Sequence, residues 1–296
     1  MDILEYRPFL GKRPRILKRY MTLLGFLRGR FSLVELFVLF FPHRHTKPSP
    51  HVLAKFNEFL FDDRKISLVK RGYVNEDGSF NLFSARFYVV GNYDEAWRTI
   101  RDVVGSDQYG SALIRNIPKD RVVIDAGANL GAFSVKAAHD FPGVKIVAFE
   151  PSRRAFEILK KNVADYPSIT AVNRGLGDRA SRATMTSVES EAAIGRMDDS
   201  PMGRLPAGFR EDVEVITIDS LGAKVGFLKI DTEGYEAKIL KGASETIKKW
   251  KPVIAMSAYH VPGDKETLPA FLRSLCPGYQ CELRHDGEED LICRVS

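Results

Sequence analysis

Cysteine is scarce in this 296-residue sequence, and the spacing patterns of metal-binding or disulfide-rich proteins are missing. Only Cys276, Cys281 and Cys293 occur, without a CxxC pair and without clustered histidines. A tetrahedral zinc site needs four such ligands, and an odd number of cysteines argues against a disulfide framework. The sequence therefore predicts three reduced thiols in a cytoplasmic protein.

Long apolar runs are also missing. The run Phe31–Pro42 is shorter than the roughly 20 apolar residues that span a bilayer. Extending it back to Met21 takes in Arg28 and Arg30, and no small-residue cleavage site of a secretory signal follows it. The composition is that of a globular protein and excludes collagen-like, disordered and multi-span membrane classes.

Acidic residues are rare near the N terminus, so the net charge of +6 is unevenly spread. Residues 1–50 hold ten Lys or Arg and three acidic residues, a net +7, which leaves −1 for the rest. Two interpretations stay open for this basic extension. It is either a helix packed on the main domain, or an aromatic-rich helix that contacts an anionic membrane through residues 12–42. The second would add a peripheral location on the inner membrane face.

The pattern of residues divides the chain into three parts. We predict a basic, helical N-terminal extension over 1–60, a lead-in over 61–120, and a main domain over 121–296. Within the lead-in, alternation over 79–90 predicts a short hairpin or edge strand, and apolar spacing over 94–104 predicts a helix.

Short apolar runs alternate with helical patterns throughout the main domain. This order is typical of an α/β protein with a parallel sheet and helices on both faces. A long loop is predicted over 187–209, and the last two strands form a hairpin that closes the sheet. The predicted strands are 122–125, 144–149, 169–172, 213–218, 226–230, 252–257, 279–284 and 291–295, and the predicted helices are 132–139, 152–162 and 235–250.

A glycine-containing turn follows the first of these strands, in Asp125-Ala-Gly-Ala-Asn-Leu-Gly131. Gly127 has no Cβ where the backbone approaches a ligand, and Gly131 lets the next helix pack close to the strand. The dinucleotide fingerprint GxGxxG requires a second glycine at the position of Asn129. The turn therefore suits a cofactor held through its ribose, adenine and amino-acid parts.

Two further acidic residues follow predicted strands of the same sheet. Glu150 ends the second strand, where a carboxylate accepts hydrogen bonds from the two vicinal hydroxyls of a ribose. Asp178 follows the third strand, where its side chain could reach an adenine edge; an ordinary turn aspartate is the competing interpretation.

The motifs together resemble class I S-adenosylmethionine-dependent methyltransferases, and more narrowly the FkbM family. The resemblance covers roughly residues 121–295. It rests on five motifs in order, namely Val123–Ser134, Ala148–Ser152, Gly175–Asp178, Ile218–Leu221 and Phe227–Glu236. It implies a seven-stranded Rossmann-like sheet whose last strand is antiparallel, and methyl transfer to a hydroxyl of a sugar, glycolipid or other secondary metabolite.

The resemblance also implies a cofactor and a substrate class. The cofactor is S-adenosyl-L-methionine, and the partner is a small molecule or glycan, with a lipid-linked acceptor favoured if the extension contacts a membrane. The cofactor-binding residues we expect are Asp125, Gly127, Asn129, Gly131, Glu150 and Asp178.

The predicted catalytic residues follow the fourth and fifth strands. Lys229 and Asp231 share a strand face, so an ion pair could either hold Asp231 ionised or lower the pKa of Lys229. We expect Asp231 near the sulfonium or the acceptor, Lys229 as an orienting residue, and His260 as the general base. Carboxylates at this strand end could bind Mg²⁺, but nothing in their spacing requires it, so no metal is predicted.

Three other functions compete with this assignment. A nucleic-acid methyltransferase would use the basic extension to contact phosphates, although the acidic residues after the fourth strand would repel a phosphate backbone. A nicotinamide-dependent dehydrogenase lacks the second fingerprint glycine. A non-catalytic binding module has no need of Asp125, Gly127, Gly131 and Glu150.

Overall fold

Buried strands that alternate with helices form the core of the computed structural model. The structure describes residues 79–82, 85–89, 100, 103–104, 107–187, 195–203, 205, 208–284 and 289–295. All of them belong to the second of two units into which the chain divides after Gly72. The predicted N-terminal extension, its segment 12–42 and most of the helix predicted at 94–104 lie outside the described residues.

The strands account for most of the described chain. Phe80–Leu82 pairs with Ala85–Phe87 in a separate hairpin, as the alternation over 79–90 predicts. The strands are β1 (Phe80–Leu82), β2 (Ala85–Phe87), β3 (Val122–Ala126), β4 (Lys145–Phe149), β5 (Ile169–Val172), β6 (Gly175–Leu176), β7 (Ser181–Ser187), β8 (Gly195–Met197), β9 (Phe209–Ile216), β10 (Val225–Ile230), β11 (Val253–Ser257), β12 (Tyr279–Arg284) and β13 (Asp290–Val295).

Seven of these strands form the central sheet in the order β12-β13-β11-β10-β3-β4-β5. The five strands from β11 to β5 are parallel neighbours. The strand β13 lies antiparallel to both β11 and β12. The predicted seven-stranded sheet with an antiparallel closing hairpin is thus confirmed. Its parallel strands bring their carboxyl ends to one edge of the sheet.

Five α-helices occur in the described residues. The helix predicted over 235–250 is two helices, interrupted at Gly242 and Ala243. The helix α5 was not predicted, because Pro269 inside it and the polar residues at its start hide the helical pattern. The bounds are α1 (Ala132–Asp140), α2 (Arg153–Asn162), α3 (Glu236–Lys241), α4 (Ser244–Trp250) and α5 (Asp264–Leu275).

A second sheet of four strands, in the order β6-β9-β7-β8, corrects part of the prediction. The strand predicted at 213–218 is β9, and it belongs to this sheet and not to the central one. The strand β8 lies within the segment predicted as a loop. The loop prediction failed there because β8 has only three residues, Gly195–Met197, too few to show the period-two alternation of a strand.

The closing hairpin also corrects the prediction for the cysteines. Cys281 and Cys293 are directly opposite each other on β12 and β13, and they form a disulfide. The prediction of three reduced thiols is therefore wrong for these two, while Cys276 is free. An odd number of cysteines leaves one thiol over but does not prevent the others from pairing across a hairpin.

The strand β10 lies at the centre of the sheet, between β3 and β11, and all six of its residues are buried. The core around it combines apolar residues from both sheets and from α3, α4 and α5. The site residues described below follow directly from the carboxyl ends of these buried strands. The buried core therefore fixes the positions of the strand ends that the site residues follow.

We expect Leu228→Ala to destabilise the fold strongly, because Leu228 is completely buried in β10. The expected loss in the free energy of unfolding is about 2–5 kcal/mol, from the buried apolar surface and the cavity left behind. The matched control is Leu221→Ala, since Leu221 is only partly buried. Urea unfolding followed by circular dichroism would measure the free energy of unfolding of both variants. An equal loss of that free energy in the two variants would contradict this account of the core.

Candidate active site

An open cleft lies at the carboxyl edge of the central sheet, where β3, β4 and β10 end. It encloses about 720 Å³ of empty space, including the open solvent at its mouth. Open α/β sheets bind their ligands at this edge. Among the residues that line it are Gly127, Asn129, Glu150, Asp231, Glu233 and Tyr235.

A buried ion pair lies beneath the cleft and joins β3 to β10. Lys229 and Asp125 are opposite each other in the strand register, and Lys229 Nζ lies 3.1 Å from Asp125 Oδ1. Ser134 donates a 2.7 Å hydrogen bond to the other carboxylate oxygen of Asp125. Lys229 also donates to the carbonyl of Gly127 at 2.7 Å. The ammonium group therefore fixes the glycine turn to the end of β10.

The charge of Lys229 is stabilised by its partners. Burial alone would lower the pKa of Lys229, but Asp125 and Asp231 outweigh it and raise that pKa. The expected pairing of Lys229 with Asp231 is therefore corrected: its direct ion pair is with Asp125, and its pKa is not lowered. Lys229 stays protonated, as an orienting residue requires, and Asp125 lies behind the cleft wall and not in it.

Gly127 lets the glycine turn approach the end of β10 very closely. Its φ is +75°, and a Cβ at this position would lie 1.9 Å from the carbonyl oxygen of Asp231. Only glycine fits such a contact. Gly131 has a similar role at the start of α1, where a Cβ would lie 2.7 Å from Leu159. Both glycines are required by close contacts within the protein: at Gly127 the neighbour is the backbone at the end of β10 and not a ligand, and at Gly131 it is a side chain of α2 and not the strand.

Glu150 lies at the far side of the cleft, at the end of β4. Its two carboxylate oxygens accept hydrogen bonds from the backbone N–H groups of Asn129 and Ser152, both at 2.8 Å. Burial raises the pKa of Glu150 to about 7, and these two hydrogen bonds offset the rise only in part. Two oxygens held in fixed orientations against the cleft suit a pair of vicinal hydroxyls.

Asp231, at the end of β10, is the carboxylate that stays ionised. Burial would raise the pKa of Asp231, but the positive charges of Lys229 and His260 and two hydrogen bonds lower it. Those hydrogen bonds come from Tyr109 to Oδ2, at 2.7 Å, and from Ser257 to Oδ1, at 3.0 Å. About a quarter of the Asp231 side chain is exposed, so the carboxylate can also contact a ligand in the cleft.

Sequence reasoning missed Tyr109 as a site residue. Tyr109 precedes the first strand of the sheet, and its buried ring packs edge-on against Phe133 and lies 5.2 Å from Lys229 Nζ. Burial and the charge of Asp231 raise the pKa of Tyr109 well above its usual value, so the hydroxyl remains a donor. An isolated tyrosine before a glycine has no spacing pattern that could have indicated this role.

A chain of hydrogen bonds continues from Asp231 to the closing hairpin. The hydroxyl of Ser257 also lies 3.1 Å from Asp290 Oδ1, and Gln108 donates to Asp290 Oδ2 at 2.9 Å. Asp290 is the first residue of β13, and Ser257 is the last of β11. The antiparallel hairpin thus helps to position the carboxylate of Asp231.

His260 lies behind Asp231 and is almost completely buried. Its Nδ1 is 3.0 Å from Glu236 Oε1, while its Nε2 lies 3.8 Å from Asp231 Oδ1 and 3.9 Å from Glu233 Oε2. Burial would lower the pKa of His260, but these carboxylates raise it to about 9. A histidine with that pKa is protonated at neutral pH, which does not suit the predicted general base.

Asp178 is a predicted site residue that neither lines the cleft nor contacts the residues that support it. It is exposed, and its carboxylate lies 3.9 Å from the guanidinium of Arg179. The preceding Gly177 packs its carbonyl against Gly242, where a Cβ would lie 1.9 Å from that oxygen. The turn containing Asp178 therefore packs against α3, in agreement with the competing interpretation of an ordinary turn aspartate.

The fold and the cleft define a class I methyltransferase with a Rossmann-like sheet. Residues 125–282, more than half of the chain, match the family described as the methyltransferase FkbM domain. The chain therefore belongs to the FkbM methyltransferase family, as its motifs indicated, and S-adenosylmethionine is its methyl donor. The match begins at Asp125, so Tyr109 lies outside it.

Three curated relatives resemble the chain. Methyltransferase sdnD of Sordaria araneosa is 25% identical, over 47% of this chain and 70% of its own length. Hexuronic acid methyltransferase AglP of Haloferax volcanii is 27% identical, over 58% of this chain and 70% of its own. The 31-O-demethyl-FK506 methyltransferase FkbM of Streptomyces tacrolimicus is 32% identical, over 38% of this chain and 40% of its own.

The residues of the cleft fit S-adenosylmethionine. Glu150 presents a carboxylate for the ribose hydroxyls, and Asn129 has a buried side-chain oxygen without a hydrogen-bond partner among the described residues. Gly127 lines the cleft, and because it has no Cβ the turn can lie close against the end of β10. These three residues would hold the cofactor, while Asp125 and Gly131 support the turn from behind.

We expect the affinity for S-adenosylhomocysteine to fall at acidic pH. Ribose hydroxyls donate to an ionised carboxylate, and the pKa of Glu150 is about 7. Protonation below that value removes an acceptor, so binding should be about tenfold weaker at pH 6 than at pH 8. Calorimetric titration at both pH values measures this. Glu150→Gln should abolish the dependence and Asp178→Asn should keep it; equal wild-type affinities would refute the assignment.

Tyr109→Phe should slow methyl transfer without weakening cofactor binding. The variant keeps the ring contact with Phe133 but removes the hydrogen bond to Asp231. A hydrogen bond to a charged group is worth about 1.5–3 kcal/mol, which corresponds to a roughly 10–100-fold slower reaction. The rate of transfer from labelled S-adenosylmethionine would be compared with that of the control variant Tyr166→Phe, since Tyr166 lies outside the cleft. An unchanged rate would remove Tyr109 from the site.

Proposed function

We propose that this protein is an O-methyltransferase, which transfers the methyl group of S-adenosylmethionine to a hydroxyl of a sugar or another secondary metabolite. The observation that carries this proposal is the carboxylate of Asp231, which is ionised, partly exposed and set in the wall of the cofactor cleft. An acceptor hydroxyl needs such a hydrogen-bond acceptor close to the methyl donor.

The relatives support the acceptor class. The Haloferax volcanii relative is named for a hexuronic acid, which is a sugar, and the Streptomyces tacrolimicus relative is named for methylation of an oxygen in FK506. Both names refer to small molecules, one of them a sugar acid and the other a compound that is methylated on oxygen. We extend this class, but neither particular substrate, to the present chain.

In this reaction the protein mainly has to align the acceptor hydroxyl with the methyl group and remove the proton of that hydroxyl. When bound, S-adenosylmethionine supplies an electrophilic methyl group on a sulfonium, and S-adenosylhomocysteine is the product that leaves. Orientation of the acceptor oxygen accounts for several kcal/mol of a barrier of this kind. Asp231 is the residue that would orient the hydroxyl and accept its proton, while Tyr109 and Ser257 hold the carboxylate in place.

The roles of His260 and Asp231 follow from their burial and charge. His260 is buried behind Asp231 and is paired with Glu236, whereas Asp231 lines the cleft. We therefore propose Asp231 as the catalytic residue and His260 as a positioning residue. This revises the expectation from the sequence, in which His260 was the base.

The charge of the site favours a neutral acceptor. Asp231 and Glu233 both line the cleft, and Glu236 lies just behind them. In the absence of a bound cation, these carboxylates would repel an acceptor that carries phosphates or a carboxylate of its own. A neutral sugar or polyol is therefore the acceptor that we propose, ahead of a nucleic acid or a uronic acid.

Asp231→Asn should abolish methyl transfer while cofactor affinity changes by only a few fold. Loss of a positioned proton acceptor typically slows a reaction about 10²–10⁴-fold. Asp212→Asn is the control, since Asp212 is exposed on β9 and does not line this cleft. Calorimetry with S-adenosylhomocysteine and turnover of labelled S-adenosylmethionine would be measured on both variants. Normal turnover of Asp231→Asn would remove Asp231 from the catalytic role.

The acceptor itself can be found with labelled S-adenosylmethionine. The protein would be incubated with neutral glycosides, uronic acids, lipid-linked glycans and RNA in separate reactions. We expect label in an alkali-stable methyl ether of a neutral glycoside or a neutral lipid-linked glycan. An alkali-labile methyl ester on a uronic acid, or label in RNA, would contradict the proposed acceptor.

Membrane contact through residues 12–42 stays a prediction of the sequence, because that segment lies outside the described residues. Within the described part of the chain, no helix combines the length and the apolar character needed to cross a bilayer. A lipid-linked acceptor is the substrate that would agree with the predicted contact.

A further inference from the structure

We propose that a divalent metal ion binds between His260, Asp231 and Glu233, at the inner end of the cofactor cleft. The ligands are His260 Nε2, Asp231 Oδ1 and Glu233 Oε2, with water in the remaining positions. The sequence alone predicts no metal here, because the spacing of these residues along the chain does not require one.

The first observation is a buried imidazole nitrogen without a hydrogen-bond partner. The His260 side chain is 3% exposed, and within the described residues its Nε2 has no hydrogen-bond partner. The nearest carboxylate oxygens lie 3.8 and 3.9 Å away, too far for hydrogen bonds. Two ligands of one ion, each about 2.0–2.2 Å from it, can be up to roughly 4.4 Å apart. Each of the two separations is therefore within the span that one ion can bridge.

The second observation is the orientation of the ring. Glu236 Oε1 lies 3.0 Å from Nδ1 of His260, on the opposite side of the ring from Asp231 and Glu233. The same oxygen accepts the backbone N–H of Thr232 at 2.9 Å, so the carboxylate is held in place. A carboxylate of this kind only accepts, which keeps a proton on Nδ1. A metal ion would displace the second proton of the imidazolium from Nε2 and bind to the lone pair that is left there. Metal-binding histidines are usually held in this way.

The third observation is the excess of negative charge. One ligand atom from each of Asp231, Glu236 and His260 lies within 4.8 Å of the others, and Glu233 is added on the Nε2 side. Of these carboxylates, Arg196 pairs with Glu233, at 3.5 Å. These three carboxylates outnumber the positive charges of the His260 imidazolium and Arg196, while Lys229 is paired with Asp125, and such an excess is costly in a partly buried site. A divalent ion would balance that excess.

The donor set indicates the class of metal. One imidazole nitrogen with two carboxylate oxygens suits Mn²⁺ or Zn²⁺ better than Mg²⁺, which prefers oxygen ligands alone. Asp231 and Glu233 line the cleft, so the ion would be open to a ligand there. Resting on the proposed function, its role would be to polarise the acceptor hydroxyl as a Lewis acid. Binding of the ion itself requires no acceptor.

Mn²⁺ binding to the full chain tests this proposal directly. The electron paramagnetic resonance signal of free Mn²⁺ disappears on binding, so titration gives stoichiometry and affinity without any assay of activity. We expect one ion per chain with a dissociation constant in the micromolar range, and competition by Zn²⁺. Failure to bind Mn²⁺ or Zn²⁺ below millimolar concentrations would overturn the proposal and leave the methyltransferase assignment untouched.

Three variants identify the site. His260→Gln and Glu233→Gln should each weaken Mn²⁺ binding at least tenfold, and Glu233 is partly exposed, so its substitution should not disturb the fold. His139→Gln is the matched control, since His139 is an exposed histidine beside Asp140 outside the cleft. Undiminished S-adenosylhomocysteine binding would show that each variant is folded. Mn²⁺ affinity that is equal in wild type and in the folded Glu233→Gln and His260→Gln variants would place the ion elsewhere and overturn the assignment.

Discussion

The buried ion pair between Asp125 and Lys229 is the interaction on which the site depends. It joins the last part of β3 to the last part of β10, and the same ammonium group holds the carbonyl of Gly127. Removing one member of such a pair leaves a buried charge without a partner, which typically costs about 3–5 kcal/mol. The pair therefore fixes the cofactor turn relative to Asp231, although neither of its members lines the cleft.

Two carboxylates on either side of this pair, Glu150 and Asp231, have pKa values shifted in opposite directions. Burial dominates at Glu150 and raises its pKa to about 7, whereas the charge of Lys229 and two side-chain hydrogen bonds lower the pKa of Asp231. Environments that separate the pKa values of neighbouring carboxylates are a common way to divide roles in an active site. We assign Glu150 to the cofactor and Asp231 to the acceptor on this basis.

Much of the fold could be predicted from the sequence, because buried parallel strands and their Gly-rich and acidic ends have local signatures. Asp125, Gly127, Glu150 and Asp231 were predicted in this way, and the structure places them in the wall of the cleft or directly beneath it. Contacts between distant parts of the chain have no local signature, so Tyr109, Asp290 and the disulfide of the closing hairpin were missed. The protonation of His260 could also not be predicted from the sequence, because it depends on carboxylates that the turn after β10 brings close to the imidazole ring.

A crystal structure of the protein with S-adenosylhomocysteine tests the central claim most directly, namely that the cofactor lies across the cleft between Glu150 and Asp231. We predict that both ribose hydroxyls donate to the carboxylate of Glu150, and that the sulfur faces the end of β10, on the side of Asp231. A ribose bound away from Glu150, or a sulfur directed away from Asp231, would contradict the account.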